Sequence, residues 1–346
     1  MIEDVPQSKL DNNINFRNIL INGGMDLAQR GTSQATAGSA GGSYQTLDRW
    51  KFFNNSLGAF TWSQDTDVPT GQGFANSMKF DCTTADASPA AADYLLFRQD
   101  FEGQNVQYLK KGTSSAESLT LSFWVKSVKT GTYIAEIFDV DNSRSISKSY
   151  TIDSASTWEK KTLTFDADTT GTLGNDNGAS LTVEFWLGSG STYSSGTLQT
   201  SWGSRVSANR AVGGVNLADS TSNEWYVTGV QLEAGTTASD FEFLPVDVNR
   251  HRCQRYYVGN RTYYFTAGYD ASYTTANKGG LGWSYQMRAT PSVTINSGGM
   301  LGHHGTAPSV NGGPDPGGVG LQFTGSGYRA NSSTACHVGL ELSAEL

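Results

Sequence analysis

Charge is scarce in this sequence: only 16% of the 346 residues are Asp, Glu, Lys or Arg, against roughly 25% in an average globular protein. Acids outnumber bases 32 to 24, for a formal net charge of -8, which disfavours a partner as acidic as nucleic acid. Cysteine is scarcer still. Cys82, Cys253 and Cys336 are too few and too far apart for a disulfide framework or a zinc site, so reduced thiols in a cytosolically made protein are expected. Long apolar runs are missing: no window approaches the roughly 18 apolar residues of a spanning helix. The opening MIEDVPQSKLDNNIN places two acids before its first base and has no apolar stretch, so neither a secretory signal nor a membrane anchor is expected. What is plentiful is glycine, at 40 residues, together with Ser, Thr and 11% aromatics, while strong helix formers and proline, with 8, are few. Turn formers plus strand formers predict an all-β protein. Single cores stop growing near roughly 250 residues, so the length predicts a large domain and a smaller one.

Residues 1–15 are polar and predict a disordered or extended arm unless a partner holds it. FRNILINGG, from Phe16, reads as a strand closing in a turn at Asn22-Gly23-Gly24. SLTLSFWVKSV (118–128) alternates Leu119, Leu121, Phe123 and Val125 with Thr120, Ser122, Trp124 and Lys126, the period-2 pattern of a half-buried strand. TYIAEIFDV follows a turn at Thr130-Gly131, WEKKTLTFDA sends Leu163 and Phe165 inward, and LTVEFWLGSG sets Leu181, Val183, Phe185 and Leu187 opposite Glu184 and Trp186. EWYVTGVQLEAG closes the series. Short strands without intervening helices predict a two-sheet sandwich. VDVNRHRCQRY, after Pro245, reads as a junction with a single helical turn, and the remainder holds about six short strands with one Gly/Pro-rich loop near 298–318. No fixed-period repeat points to a propeller or solenoid.

Several separated segments occur together in order: RNILINGGMDLAQRGTS, YQTLDRW, SFWVKS, YVTGVQLEAGTTASDFEFLPVDVNRHRCQRYY, MRATPSVTIN and the terminal SAEL. This order resembles a family of bacteriophage virion proteins, mostly tail fibres, over most of residues 16–346. The resemblance implies a jelly-roll β-sandwich like a carbohydrate-binding module at 16–245, a smaller C-terminal β domain at 246–346, and a virion-anchoring arm at 1–15. It further implies a homotrimeric fibre, made in the bacterial host cytoplasm and working in the virion, that contacts a phage baseplate or tail protein through residues 1–15 and a host cell-surface polysaccharide elsewhere. First and last strands of such a domain lie together, bringing Phe16–Asn22 to Trp225–Glu233, and Asp48, Arg49 and Trp50 become a packed structural corner. The same fold on a capsid decoration or head fibre is the alternative.

Sugar recognition requires flat apolar faces against pyranose C–H groups, with polar side chains for the hydroxyls. Trp124 and Trp186 supply such faces with Lys126 and Glu184 as neighbours, and these four are the glycan-binding candidates; the competing reading packs both tryptophans beneath a long loop. A dense aromatic set, Tyr256, Tyr257, Tyr263, Tyr264, Tyr269, Tyr273, Trp283 and Tyr285, suits either subunit contacts or the host surface, with Tyr263 onward as the surface or trimer-contact candidates. Arg250, His251, Arg252, Arg255 and Arg261 form the one basic cluster, read as a solvated or inter-subunit face. Asp139-Val140-Asp141-Asn142-Ser143 has spaced oxygens but lacks the glycine and distant Glu of a calcium loop, and His303-His304 has no partner ligands nearby, so no metal and no cofactor is expected. A polysaccharide depolymerase would need two carboxylates roughly 5 to 10 Å apart. Glu136, Glu184 and Asp166 are candidates for neighbours, but no motif pairs them and no GxSxG elbow is present, so no enzyme is expected.

Overall fold

A computed structural model describes residues 16–36, 39–269, 276–282, 286–300, 309–310, 314–324 and 334–346. The chain divides into two units with the boundary between Leu244 and Pro245. Along the first unit run β1 (Ser33–Thr36), β2 (Ser39–Ser43), β3 (Lys51–Asn55), β4 (Ala59–Asp65), β5 (Ser77–Thr84), β6 (Tyr94–Glu102) and β7 (Leu119–Ser127). There follow β8 (Gly131–Asp139), β9 (Arg144–Ile152), β10 (Glu159–Phe165), β11 (Ala179–Ser189), β12 (Gly203–Ser204) and β13 (Glu224–Ala234). They form two sheets, ordered β1-β4-β5-β13-β7-β10 and β12-β9-β8-β11-β6-β3-β2. Every strand pairing is antiparallel, and neighbours distant in sequence, such as β5 beside β13 and β11 between β8 and β6, make the crossovers of a jelly-roll sandwich.

The inward faces are apolar because period-2 patterning places every second side chain there. Leu121, Phe123 and Val125 of β7 meet Val183 and Phe185 of β11 in one core, with Phe123 and Phe185 edge-on at 5.1 Å. Trp50 stacks on Phe97 at 4.4 Å, and Phe80 touches both Phe97 and Trp225. Asp48, Arg49 and Trp50 are buried: Gln29 donates to Asp48, Arg49 donates to the Asp100 carbonyl at 2.8 Å, and the Trp50 indole donates to the Asn22 carbonyl. This is the packed corner expected of them.

FRNILINGG departs from expectation. It lies beside β13, since Ile19 N–H donates to the Leu232 carbonyl and Asn18 Nδ2 to that of Val230, yet it is not a strand. Side chains replace the ladder: Gln99 both accepts from Ile21 N–H and donates to its carbonyl, and Asn18 Oδ1 caps Leu20 N–H. Gly23 is required because a Cβ there would stand 2.0 Å from the Val230 carbonyl oxygen.

The second unit begins with helix α1 (Val246–Gln254), nine residues rather than a single turn. Its strands are β14 (Tyr257–Tyr269), β15 (Ala276–Gly282), β16 (Ser292–Met300), β17 (Ser309–Val310), β18 (Gly318–Thr324) and β19 (Thr334–Ser343), in the order β16-β19-β14-β15-β18-β17. Leu281, Val319, Leu321, Val338 and Leu340 form a small core of this unit's own.

Candidate functional site

The four glycan-binding candidates are not brought together. Trp124 and Lys126 lie on the outer face of the first sheet, whereas Glu184 and Trp186 lie on the outer face of the second, on the far side of the sandwich. Nor are the latter two accessible: Glu184 is 0% and Trp186 2% exposed. The chain leaving β11 covers them over residues 190–216. Arg210 from this segment lies 4.5 Å over the Trp186 ring and Tyr193 stands 5.4 Å from it, while the indole donates to Glu136 at 2.9 Å. The reading of Trp186 and Glu184 as sugar contacts is therefore corrected to a core beneath a strap.

Under the strap, charge is concentrated. Lys51, Arg98, Glu184 and Glu136 occupy one transverse row of cross-strand neighbours on β3, β6, β11 and β8. Arg210 donates to both carboxylates, Arg98 reaches Glu184 at 3.1 Å, and Arg205 lies 3.7 and 3.8 Å from the pair. Burial, reinforced by the Glu184 charge, pushes the Glu136 carboxyl up to about 7 despite the arginines. Burial also opposes ionisation of Glu184, but Arg210, Arg98 and Arg205 outweigh it and hold that carboxyl below the usual range. Glu136 and Glu184 are thus adjacent, as a hydrolase pair would be, but they are sealed and bonded to arginine. Asp166 is exposed just beyond β10 of the other sheet and does not join them.

Trp124 belongs to a different setting. It is half-buried, flanked in register by Thr228 of β13 and Lys160 of β10. Beside it β13 bulges between Thr228 and Gln231, and Gly229 takes a φ of 61°. The ring of Phe74 rests on this glycine, where a Cβ would approach it to 2.4 Å. Phe74, Phe241 and Phe243 form a triangle with centroids 4.9 to 5.2 Å apart. With Trp124 they line a groove of about 310 Å³ whose polar residues are Gln72, Ser122, Lys160 and Asp240. The wall is fixed from behind: Glu242 N–H donates to Gln231, the Asp240 carbonyl accepts from Gln231 and Arg17, and the Glu242 carboxylate accepts from Asn18 N–H. Phe243 nevertheless stays 56% exposed. Sequence reasoning missed Phe74, Phe241, Phe243, Lys160 and Asp240; the alternating Phe-Glu-Phe ahead of Pro245 is the local signal for part of the wall.

Lys126 is not available to this groove. It pairs with Asp67, lies 4.1 Å over the Tyr226 ring, and shares Asp67 with the Trp158 indole, which donates at 2.9 Å. Glu224, bonded by Lys79 and Tyr226, completes this second cluster. Burial pushes the Tyr226 phenol up to about 12, and its bond to Glu224 adds to this.

In the second unit Tyr256 and Tyr257 are buried, Tyr263 packs against the small core, and Tyr264, 73% exposed, projects from the other face of β14 beside His337. Tyr273, Trp283 and Tyr285, like His303 and His304, lie outside the described residues, as does the side chain of Tyr269. Arg250, His251 and Arg252 ride on α1, Arg255 follows it, and Arg261 is on β14. At the turn weighed for calcium, Asp139 is buried and bonded to Asn142 and to the Lys111 ammonium, which also contacts Asp168 and the carbonyls of Thr170 and Gly171.

No family model and no curated protein matches the chain. Among solved structures it is similar to the enzymatically active domain of tailspike protein 4 of bacteriophage CBA120, with 13% identity over 63% of this chain and a TM-score of 0.33. The match spans 21% of that tailspike chain. It is also similar to a Bacteroides thetaiotaomicron protein assigned by name to sugar binding, at 12% identity over 63% of this chain and 99% of the other, TM-score 0.35. A third is a family 11 carbohydrate-binding module from Clostridium thermocellum, in complex with a β-1,3-1,4-mixed-linked tetrasaccharide, at 14% identity over 60% and 98%, TM-score 0.28. At such values the sandwich assignment stands on the chain's own strand order and core.

Proposed function

We propose that this chain is a glycan-binding protein without catalytic activity, and that its first unit holds saccharide in the Trp124 groove. The observation that carries the reading is the grouping of Trp124, Phe74, Phe241 and Phe243 around an open cleft of about 310 Å³, whereas Trp186 on the other sheet is covered. The volume is at the lower end of the roughly 300 to 1,000 Å³ typical of small-molecule sites. Apolar faces meet the C–H side of a sugar ring, while Gln72, Ser122 and Asp240 face its hydroxyls. The sealed, arginine-bound state of Glu136 and Glu184 supports a binding role over hydrolysis, since neither carboxylate has room for a sugar or water.

The finer reading places this activity on a bacteriophage particle, as a homotrimeric tail fibre anchored through residues 1–15. It rests on the ordered sequence resemblance described above. Three copies per fibre would raise avidity above the affinity of one exposed groove. The groove reading is tested with a glycan panel against the full chain and the double variant Trp124→Ala, Phe243→Ala. Loss of binding with an unchanged melting profile supports it; retained binding refutes it. Immunolabelled particles under the electron microscope separate tail from capsid.

A further inference from the structure

Four lysines lie on the strands of the first sheet, and three are neutralised: Lys79 by Glu224 at 2.7 Å, Lys126 by Asp67, and Lys161 by Glu159 at 2.5 Å and Asp153 at 3.1 Å. Lys160 is the exception. It is exposed, it has no ion pair among the described residues, and it is the cross-strand neighbour of Trp124 on the wall of the groove. In a chain with a net charge of -8, an unpaired ammonium beside the aromatic floor has no intramolecular purpose in view. Asp240 lines the same groove without an ion pair to Lys160, so the rim carries one cation and one anion held apart.

Resting on the groove reading, we infer that the preferred ligand is an acidic polysaccharide whose sugars carry a single carboxylate, a uronic acid. A uronate ring stacked on Trp124 would turn its carboxylate to Lys160, a charge-assisted contact about twice as strong as a neutral hydrogen bond. Asp240 would accept from ring hydroxyls. The same Asp240 repels any anion in the groove and so limits the net gain from Lys160. Because the groove is open, the preference over the neutral sugar should be modest, about tenfold, and should shrink with added salt.

The test measures affinity of the full chain for uronate polysaccharides of several linkages, polygalacturonate and alginate among them, each beside its carboxyl-reduced counterpart. The expected result is tighter binding to at least one acidic polymer than to its reduced form. In Lys160→Gln that difference should disappear, the affinity for the acidic polymer falling to the affinity of the same variant for the reduced form. Equal or tighter binding to reduced forms, still lost in Trp124→Ala, would overturn the acidic preference while leaving the groove reading standing. A preference that survives Lys160→Gln would also overturn it. Binding to no polymer of either kind would remove both.

Discussion

Replacing Arg210 by methionine should destabilise the first unit strongly although it removes nothing from the aromatic core. Methionine keeps much of the contact over Trp186 but removes a guanidinium that donates to both Glu136 and Glu184, each 0% exposed. What remains is Arg205 at 3.7 and 3.8 Å, the Trp186 indole on Glu136 at 2.9 Å and, for Glu184 alone, Arg98 at 3.1 Å. Breaking a buried pair by removing one partner typically costs about 3 to 5 kcal/mol, because the other charge stays buried. The loss should depend on pH. Glu136 titrates near 7 in the folded protein, above the ordinary 4.5. The folded state therefore holds this proton more tightly than the unfolded chain, and its contribution is greatest below the unfolded value and lost as pH rises through about 7. In Arg210→Met both carboxylates become easier to protonate, so the deficit at pH 8 should shrink on acidification to pH 5.5, about one unit above the unfolded value. Urea unfolding followed by tryptophan fluorescence at both pH values reads this directly. Adding Glu136→Gln to the variant should recover part of the loss at pH 8. A deficit under about 1 kcal/mol, or one independent of pH, would refute the buried-network argument.

Gly229→Ala should reduce glycan binding at least tenfold at a cost of about 1 to 3 kcal/mol, because the new Cβ meets Phe74 and φ is positive there; equal affinity and stability in calorimetry would contradict this. Lys111→Met should destabilise the first unit by about 3 kcal/mol in urea titration, since Asp139 and Asp168 lose the ammonium between them; a change below 0.5 kcal/mol, roughly the scatter of surface substitutions, would mean the ammonium is dispensable. Trp186→Ala should lower stability by about 3 to 5 kcal/mol as a buried aromatic and leave glycan affinity of the folded fraction unchanged; loss of affinity without loss of stability would return Trp186 to the binding surface.

The inward faces were legible because alternation alone decides them: Leu121, Phe123, Val183 and Phe185 all enter the core as their spacing implies. Which outward face remains open was not legible. Trp124 and Trp186 have the same pattern, and what separates them is Arg210 and Tyr193, brought back over β11 by a segment whose path no local spacing predicts. The groove was hidden for a similar reason, since Phe74 reaches Phe241 and Phe243 only after the chain has closed the sandwich. FRNILINGG has the composition of a strand, but Asn18 and Gln99 offered its backbone other partners, and the ladder was not needed.

The most direct test of the Trp124 groove is fluorine NMR of the chain labelled with 5-fluorotryptophan, its 8 tryptophans assigned by substitution, during titration with a polysaccharide it binds. The Trp124 resonance should move with saturation while those of the buried Trp50, Trp62, Trp186 and Trp225 stay in place. Movement at Trp186 with Trp124 unchanged would contradict it and place the ligand on the other sheet.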